Sequence, residues 1–403
     1  MDATIHATKI RTVNCILMKT KFCFFLNIFC FWIGTLTAQT PAELKIGISA
    51  AFSGASKELG IHYLNGARAY FNWINEQGGI YGQSLKLFIY DDQYDPLLCI
   101  KNTEKLILKD SVDILFNYVG TPTTTAILPL LKIYEQEHIV LFGNFTGAGA
   151  QRVYPYKPYV FNIRASYKEE TAVLVDFFLQ KSYLRMGIFY QSDSYGRSGY
   201  DGIKQELQKS GKKITAEATY LRGSHYPESM EIQVNHFLQE KVDSIISIGS
   251  YEACAAFIRD AKKLGLNAPI ANVSFVGAEQ LLALLKLDHV SFEQLYFTQI
   301  VPNLDSGFSL LNEYKQLMEK EKFSTNFISL EGFINAKILT QILIQAEENK
   351  PFGRHNIKKI LETMKPIEIG LGEPYQFTSE IHQLFHTVYL FRPDAQGQLT
   401  FIQ

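Results

Sequence analysis

The sequence predicts an α/β fold built on parallel sheets, and three observations carry that expectation. From Leu44 onward, short apolar runs alternate with longer segments whose apolar residues recur at three- and four-residue steps, the pattern of strands joined by crossover helices. The chain has 403 residues, 47% hydrophobic and 20% charged, enough for two globular domains. The stretch Asp113 to Ala148 reads as strand, turn, helix, strand, turn, with small polar turns at 120–125 and 143–148. Two such turns side by side form a crevice at the carboxyl edge of a parallel sheet, where α/β folds bind ligands. The net charge of −1 argues against a nucleic-acid surface or a polybasic membrane patch.

The first residues stand apart. Lys19 and Lys21 precede the apolar run 22–36, and small and polar residues follow up to Ala38. That is the order of a secretory signal, so 1–38 is expected to be a leader cleaved after Ala38, with Met18 as an alternative start. The run is shorter than the about 20 residues of a membrane span. Cys15, Cys23 and Cys30 fall in this leader, and Cys99 and Cys254 are expected to be free, buried thiols.

In the remaining chain, Leu44, Ile46 and Ile48 open the first strand. Leu64, Ala67, Phe71 and Ile74 mark one face of the next helix, which stops at Gly78-Gly79. Strands are read at 85–90, 113–117, 139–142, 186–190, 214–220, 244–249, 269–274, 384–391 and 399–402. Helices are read at 96–109, 126–134, 169–180, 199–210, 230–240, 252–264, 310–320, 330–348 and 356–364. Thr121 and Thr123 to Thr125 precede the helix at Ala126, where hydroxyls cap and unpaired N–H groups attract a carboxylate.

Several motifs carry a family resemblance. The run 75–82 (NEQGGIYG), Asp91-Asp92 with Asp95-Pro96, 118–123 (YVGTPT), 145–148 (FTGA), 161–167 (FNIRASY) and 190–196 (YQSDSYG) resemble type I periplasmic binding proteins. The branch they resemble is that of the leucine/isoleucine/valine-binding proteins of ABC importers. The resemblance implies two doubly wound parallel-sheet lobes joined by a three-strand hinge. One lobe would take 44–163 with 303–376, and the other 166–299 with 379–403, with crossings near 162–165, 299–303 and 375–379. It implies a ligand head held by Ser53, Thr123, Thr124, Phe145, Thr146 and Gly147 of the first lobe. Tyr167, Tyr195, Ser250 and Tyr251 of the second would close over it. Hydroxyls and amides suit that task because they bind a carboxylate without a buried counter-charge, and tyrosines add apolar contact with a polar tip.

One departure bears on the ligand. Amino-acid-binding members place an acid after the strand equivalent to 269–274, where it pairs with the α-ammonium. Here the turn reads Asn272-Val-Ser-Phe-Val-Gly277, with Glu279 later in a helix. A small carboxylate, amide or aromatic acid thus competes with a free amino acid as the expected ligand, with Glu279 or Glu252 as alternative acids.

No nucleophile elbow, zinc-protease, P-loop or CxxC motif is present, so the expectation is a binding protein without cofactor or metal, not an enzyme. His382 and His386, though four apart, lie in a hairpin-like segment and are expected to be structural or exposed rather than metal ligands. The expected role is a monomeric, periplasmic receptor delivering its solute to an ABC permease and ATPase complex. The rival is a sensor signalling to a membrane kinase or chemoreceptor. That the chain closes soon after its last strand favours the diffusible receptor.

Overall fold

The computed structural model describes residues 43–402, so the expected leader, with three of the five cysteines, lies outside the described residues. The first sheet is formed by β1 (Glu43–Ala50), β2 (Ser84–Asp91), β3 (Ile114–Phe116), β4 (Leu141–Phe142) and β5 (Val160–Phe161), in the order β2-β1-β3-β4-β5, all parallel. Helix α1 (Lys57–Glu76) follows β1, α2 (Pro96–Glu104) follows β2, and α3 (Thr121–Ile133) follows β3. Asp95 caps α2 by accepting from Leu97 and Leu98 N–H, and a π turn over Lys105–Lys109 completes the helix read at 96–109.

The second sheet orders its strands β14-β13-β10-β9-β8-β6-β7. They are β6 (Met186–Gln191), β7 (Ala216–Tyr220), β8 (Ser244–Ile248), β9 (Ile270–Asn272), β10 (Leu295–Gln299), β13 (Tyr389–Pro393) and β14 (Leu399–Phe401). Helices α4 (Tyr167–Gln180), α5 (Ser194–Lys209), α6 (Glu231–Gln239), α7 (Tyr251–Lys263) and α8 (Ala278–Leu287) connect the parallel part. After β10 the chain forms α9 (Ser309–Glu321), α10 (Phe327–Gln345) and α11 (Arg354–Thr363). The two-stranded pair β11 (Ile367–Glu368) and β12 (Pro374–Tyr375) follows.

Three readings need correction. The segment 384–391 is a strand only from Tyr389, because 382–385 is engaged elsewhere. Asn162 N–H donates to His382 O at 2.9 Å, and Leu384 and Phe385 N–H donate to Asn162 and Ile163 O, so this stretch lies beside the chain leaving β5, later than 375–379. β13 runs antiparallel to both β10 and β14, so the second sheet is mixed rather than purely parallel. The threonines do not cap α3. The helix starts at Thr121, with Pro122 in its first turn, where a missing N–H costs nothing. Its N-cap is Gly120 at φ 101, which a side chain would resist.

Helix α10 is long and apolar enough to cross a membrane, but it lies buried against α1. Gly66 and Gly332 make that packing close: a Cβ on Gly66 would overlap Ser329 O, and one on Gly332 would overlap Tyr63 O. A polar knot ties the pair to the first sheet. Asn335 Nδ2 donates to Tyr63 Oη (2.5 Å), Asn117 Oδ1 (2.9 Å) and Gly143 O (3.0 Å). Cys99 and Cys254 are free and buried.

Candidate functional site

The loops at the carboxyl ends of both sheets meet around one side chain, Phe275. It sits on the single turn Ser274–Val276 after β9 and is fully buried. Its ring lies 5.0 Å from Phe145, in the turn after β4, and 4.7 Å from Tyr195, in the first turn of α5. Tyr94, from the turn after β2, is 6.3 Å away. Tyr167 at the start of α4 closes the group, 5.3 Å from Tyr195. One phenyl from the second sheet's edge thus touches rings from both sides.

The Asp91-Asp92 pair explains how Tyr94 is presented. Asp92, buried, accepts from Ser49 Oγ and Tyr94 N–H, and burial pushes its carboxyl up to about 7. Asp91 accepts from Phe52 and Gln93 N–H and from Ser53 Oγ at 2.6 Å. These bonds hold Gln93 and Tyr94 at positive φ and lay the Tyr94 ring over Gly120, where a Cβ would overlap it. The pair is a turn clamp.

Each residue expected at the site has a definite place. Ser53 is half-buried and spends its hydroxyl on Asp91. Thr123 is buried and donates to Val119 O at 2.6 Å, which leaves it only as an acceptor. Thr124, fully buried, has no partner for its hydroxyl. Thr146 shares a 2.7 Å bond with Thr121 and accepts from Ala148 N–H. Gly147 lies against Tyr167, whose N–H donates to its carbonyl; any Cβ there would press the ring. Tyr195 Oη donates to Gly249 O at 3.1 Å. Ser250 is the N-cap of α7 without a side-chain cap bond, and its N–H donates to Tyr220 Oη. Tyr251 stands apart from the ring cluster, lining with Glu58 and His62 of α1 a pocket of about 590 Å³. A second pocket, of about 400 Å³, is bordered by Thr121, Thr125 and Gly147 on one side and Ser166, Ser194 and Arg197 on the other.

Sequence reasoning missed three residues of this centre: Tyr94, Phe275 and Arg164. Arg164, fully buried where the chain leaves β5, places its guanidinium 4.5 Å from the Phe145 ring centroid and donates to Ser274 Oγ. It pairs with Glu170 of α4 at 3.5 Å and Glu331 of α10 at 3.6 Å. Burial pulls the guanidinium down, but Glu331 and Glu170 outweigh it and hold it charged. Burial pushes Glu331 up to about 7 against the pull of Arg164. Glu170 also accepts from Ser274 N–H and Thr298 Oγ1. One cation therefore joins helices packed on different sheets. Its signal in the sequence was a charge in the mostly apolar stretch 159–165, whose other polar side chain is Asn162.

The alternative acids lie elsewhere. Glu279 accepts from Phe327 N–H at the start of α10, and burial raises its pKa; Glu252 accepts from Tyr226 N–H and meets His225 at 2.9 Å. His382 and His386 also part company: the first bonds Lys157 O and stacks on Phe161, and the second meets Glu169.

Among solved structures, this chain superposes on a possible leucine/isoleucine/valine-binding protein from Rhodopirellula baltica with TM-score 0.82 and 31% identity, over 90% of this chain and 97% of that one. A branched-chain amino acid ABC transporter protein from Thermus thermophilus with bound valine shares the fold at TM-score 0.79 and 17% identity, covering 90% of this chain and 95% of that one. The leucine-specific-binding protein of Salmonella typhimurium is 24% identical over 254 residues, which are 60% of this chain and only 66% of that relative's length. Residues 43–398 match the periplasmic binding protein family over nearly all of the described fold, and the chain belongs to it as a type I member similar to the leucine/isoleucine/valine-binding proteins.

Proposed function

We propose that this protein is an exported, non-enzymatic solute receptor of the periplasm. It closes around a small polar-headed ligand (amino acid, amide or small carboxylate) and delivers it to an ABC importer. The observation that carries the reading is the meeting of Phe145, Tyr167, Tyr195 and Phe275, from loops at the carboxyl edges of two sheets, at one buried point. The chain passing between the sheets supports a hinge, and a ligand favours closure through contacts made to both sides. The leucine-binding relative and the valine-bound structure support the transport role.

In this reading the α3 start and the turn after β4 hold the ligand head, with Thr124 and Thr146 as its hydroxyl contacts and Thr123 as an acceptor. Tyr195, with Ser250 and Tyr167, forms the closing side, and Tyr251 closes against α1 beside Glu58 and His62. A thermal-shift screen of amino acids, amides and small carboxylates tests it, since a solute that binds only the folded state raises apparent stability. Calorimetry of the stabilising solute then locates the site. Thr124→Ala and Thr146→Ala should stay folded and lose about 1.5–3 kcal/mol of binding each if the head is charged. Thr123→Ala should lose less, because its hydrogen is committed to Val119. Unchanged affinity in all three contradicts the assignment.

A further inference from the structure

We infer that the ligand of this cleft is an aromatic compound carrying hydroxyl or carboxylate groups, and that it takes the place Phe275 now holds. The inference rests on the solute-receptor reading and narrows its ligand.

The argument starts from the box around Phe275. Four rings, Phe145, Tyr94, Tyr167 and Tyr195, surround the place, and three of them lie within 6.3 Å of the phenyl. Ring pairs prefer tilted or edge contacts at such separations, so a flat ring is the shape these walls accept best. A side chain that touches the turn after β4 and the start of α5 together occupies the gap a ligand must fill.

The walls are also more polar than a phenyl requires. Tyr94 Oη and Tyr167 Oη are buried without a hydrogen bond of good geometry, although Gln191 lies near the first and Thr121 and Thr146 near the second. A poorly satisfied buried hydroxyl is costly, and native interiors seldom tolerate two of them side by side. Tyr94 and Tyr167 are fully or nearly fully buried and lie on the ring cluster itself. Phe275 can answer neither of these groups, whereas a ring bearing oxygen atoms can. The side chain is moreover carried on one short turn that ends at Gly277, at φ 82, rather than inside a strand or a long helix. Ser274 is held by Arg164 and Glu170, so Phe275 would leave the gap by rotating about its own side-chain bonds, with β9 staying in place.

Arg164 adds a charge beside this position, but Glu170 and Glu331 already offset it. The ring and its hydroxyl contacts therefore set the ligand class, and the carboxylate is secondary.

Calorimetric titration of 4-hydroxyphenylacetate, with cyclohexylacetate and leucine as comparators, tests the inference on the wild type and Phe275→Ala. The wild type should bind 4-hydroxyphenylacetate at least tenfold more tightly than cyclohexylacetate, which matches its charge without the flat ring. Phe275→Ala should bind it at least tenfold more tightly again, because no side chain has to leave. Tyr167→Phe should weaken it about fivefold. If Phe275→Ala fails to fold, Phe275→Trp replaces it, and the bulkier ring should weaken binding at least tenfold. Equal or better binding of cyclohexylacetate overturns the inference. So does weaker or unchanged binding by Phe275→Ala, or unchanged binding by Phe275→Trp, since Phe275 would then be a wall. Leucine binding without 4-hydroxyphenylacetate binding overturns it while leaving the receptor reading intact. Failure of every screened solute to stabilise the wild type overturns both.

Discussion

Replacing Arg164 with methionine is expected to cost about 3–5 kcal/mol of folding stability at pH 8, because it leaves two buried carboxylates without their cation. Glu170 and Glu331 flank the guanidinium at 3.5 and 3.6 Å, and all three side chains are buried. The loss should shrink at low pH, and the sign follows from linkage. Glu331 already has a carboxyl pushed up to about 7, above its ordinary value of 4.5. A raised carboxyl means that the folded state holds its proton longer than the unfolded chain. Its contribution is therefore fully present below about 4.5 and is lost as pH rises through the folded value. Without Arg164 that value rises further, so the variant should lose more stability than wild type between pH 5 and pH 8. Urea unfolding at the two pH values measures both slopes. Parallel pH dependence in wild type and variant would mean that Arg164 does not balance these acids.

Gly332→Ala is expected to destabilise the protein by about 1–3 kcal/mol or more, the range for overpacking a well-filled core. The added methyl would overlap the Tyr63 carbonyl oxygen, which belongs to the backbone of α1 and cannot rotate away. Separating α1 from α10 would also loosen the Asn335 bonds to Tyr63, Asn117 and Gly143. Gly66→Ala meets Ser329 O in the same interface and should behave alike, whereas Gly78→Ala, with open space around it but φ at 94, should suffer only from backbone strain. Thermal unfolding of the three variants compares them. A stability of Gly332→Ala equal to wild type would show that the two helices can part at no cost.

Most of the α/β framework was legible because buried parallel strands are short continuous apolar runs and their helices carry one apolar stripe. β5, with two residues, and β10, which precedes the return toward α9, were not read as strands. β5 is too brief to tell from loop, and β10 (LYFTQ) ends in Thr298 and Gln299 and so does not read as a continuous apolar run. The start of α3 was misplaced by treating threonines as caps, although Pro122 signalled a helix already under way. β13 and β14 were read as strands, but their antiparallel direction escaped because pairing direction at a sheet edge leaves little trace in composition. At the candidate site, the small polar turns read after β3 and β4 lie side by side, joined by the Thr121–Thr146 bond, and the second carries Phe145 of the ring cluster. Tyr94, Arg164 and Phe275 were missed for a shared reason: their roles come from tertiary packing between segments far apart in sequence. Phe275 sat in a turn read for the acid it lacked, not for the ring it supplies.

Solution scattering of the wild type, with and without a saturating concentration of the solute that stabilises it, tests the central claim most directly. A receptor that closes on a ligand held between two lobes should show a smaller radius of gyration when saturated, and Tyr195→Ala combined with Tyr251→Ala should blunt that compaction. Identical scattering of free and saturated wild-type protein would contradict closure around the ligand.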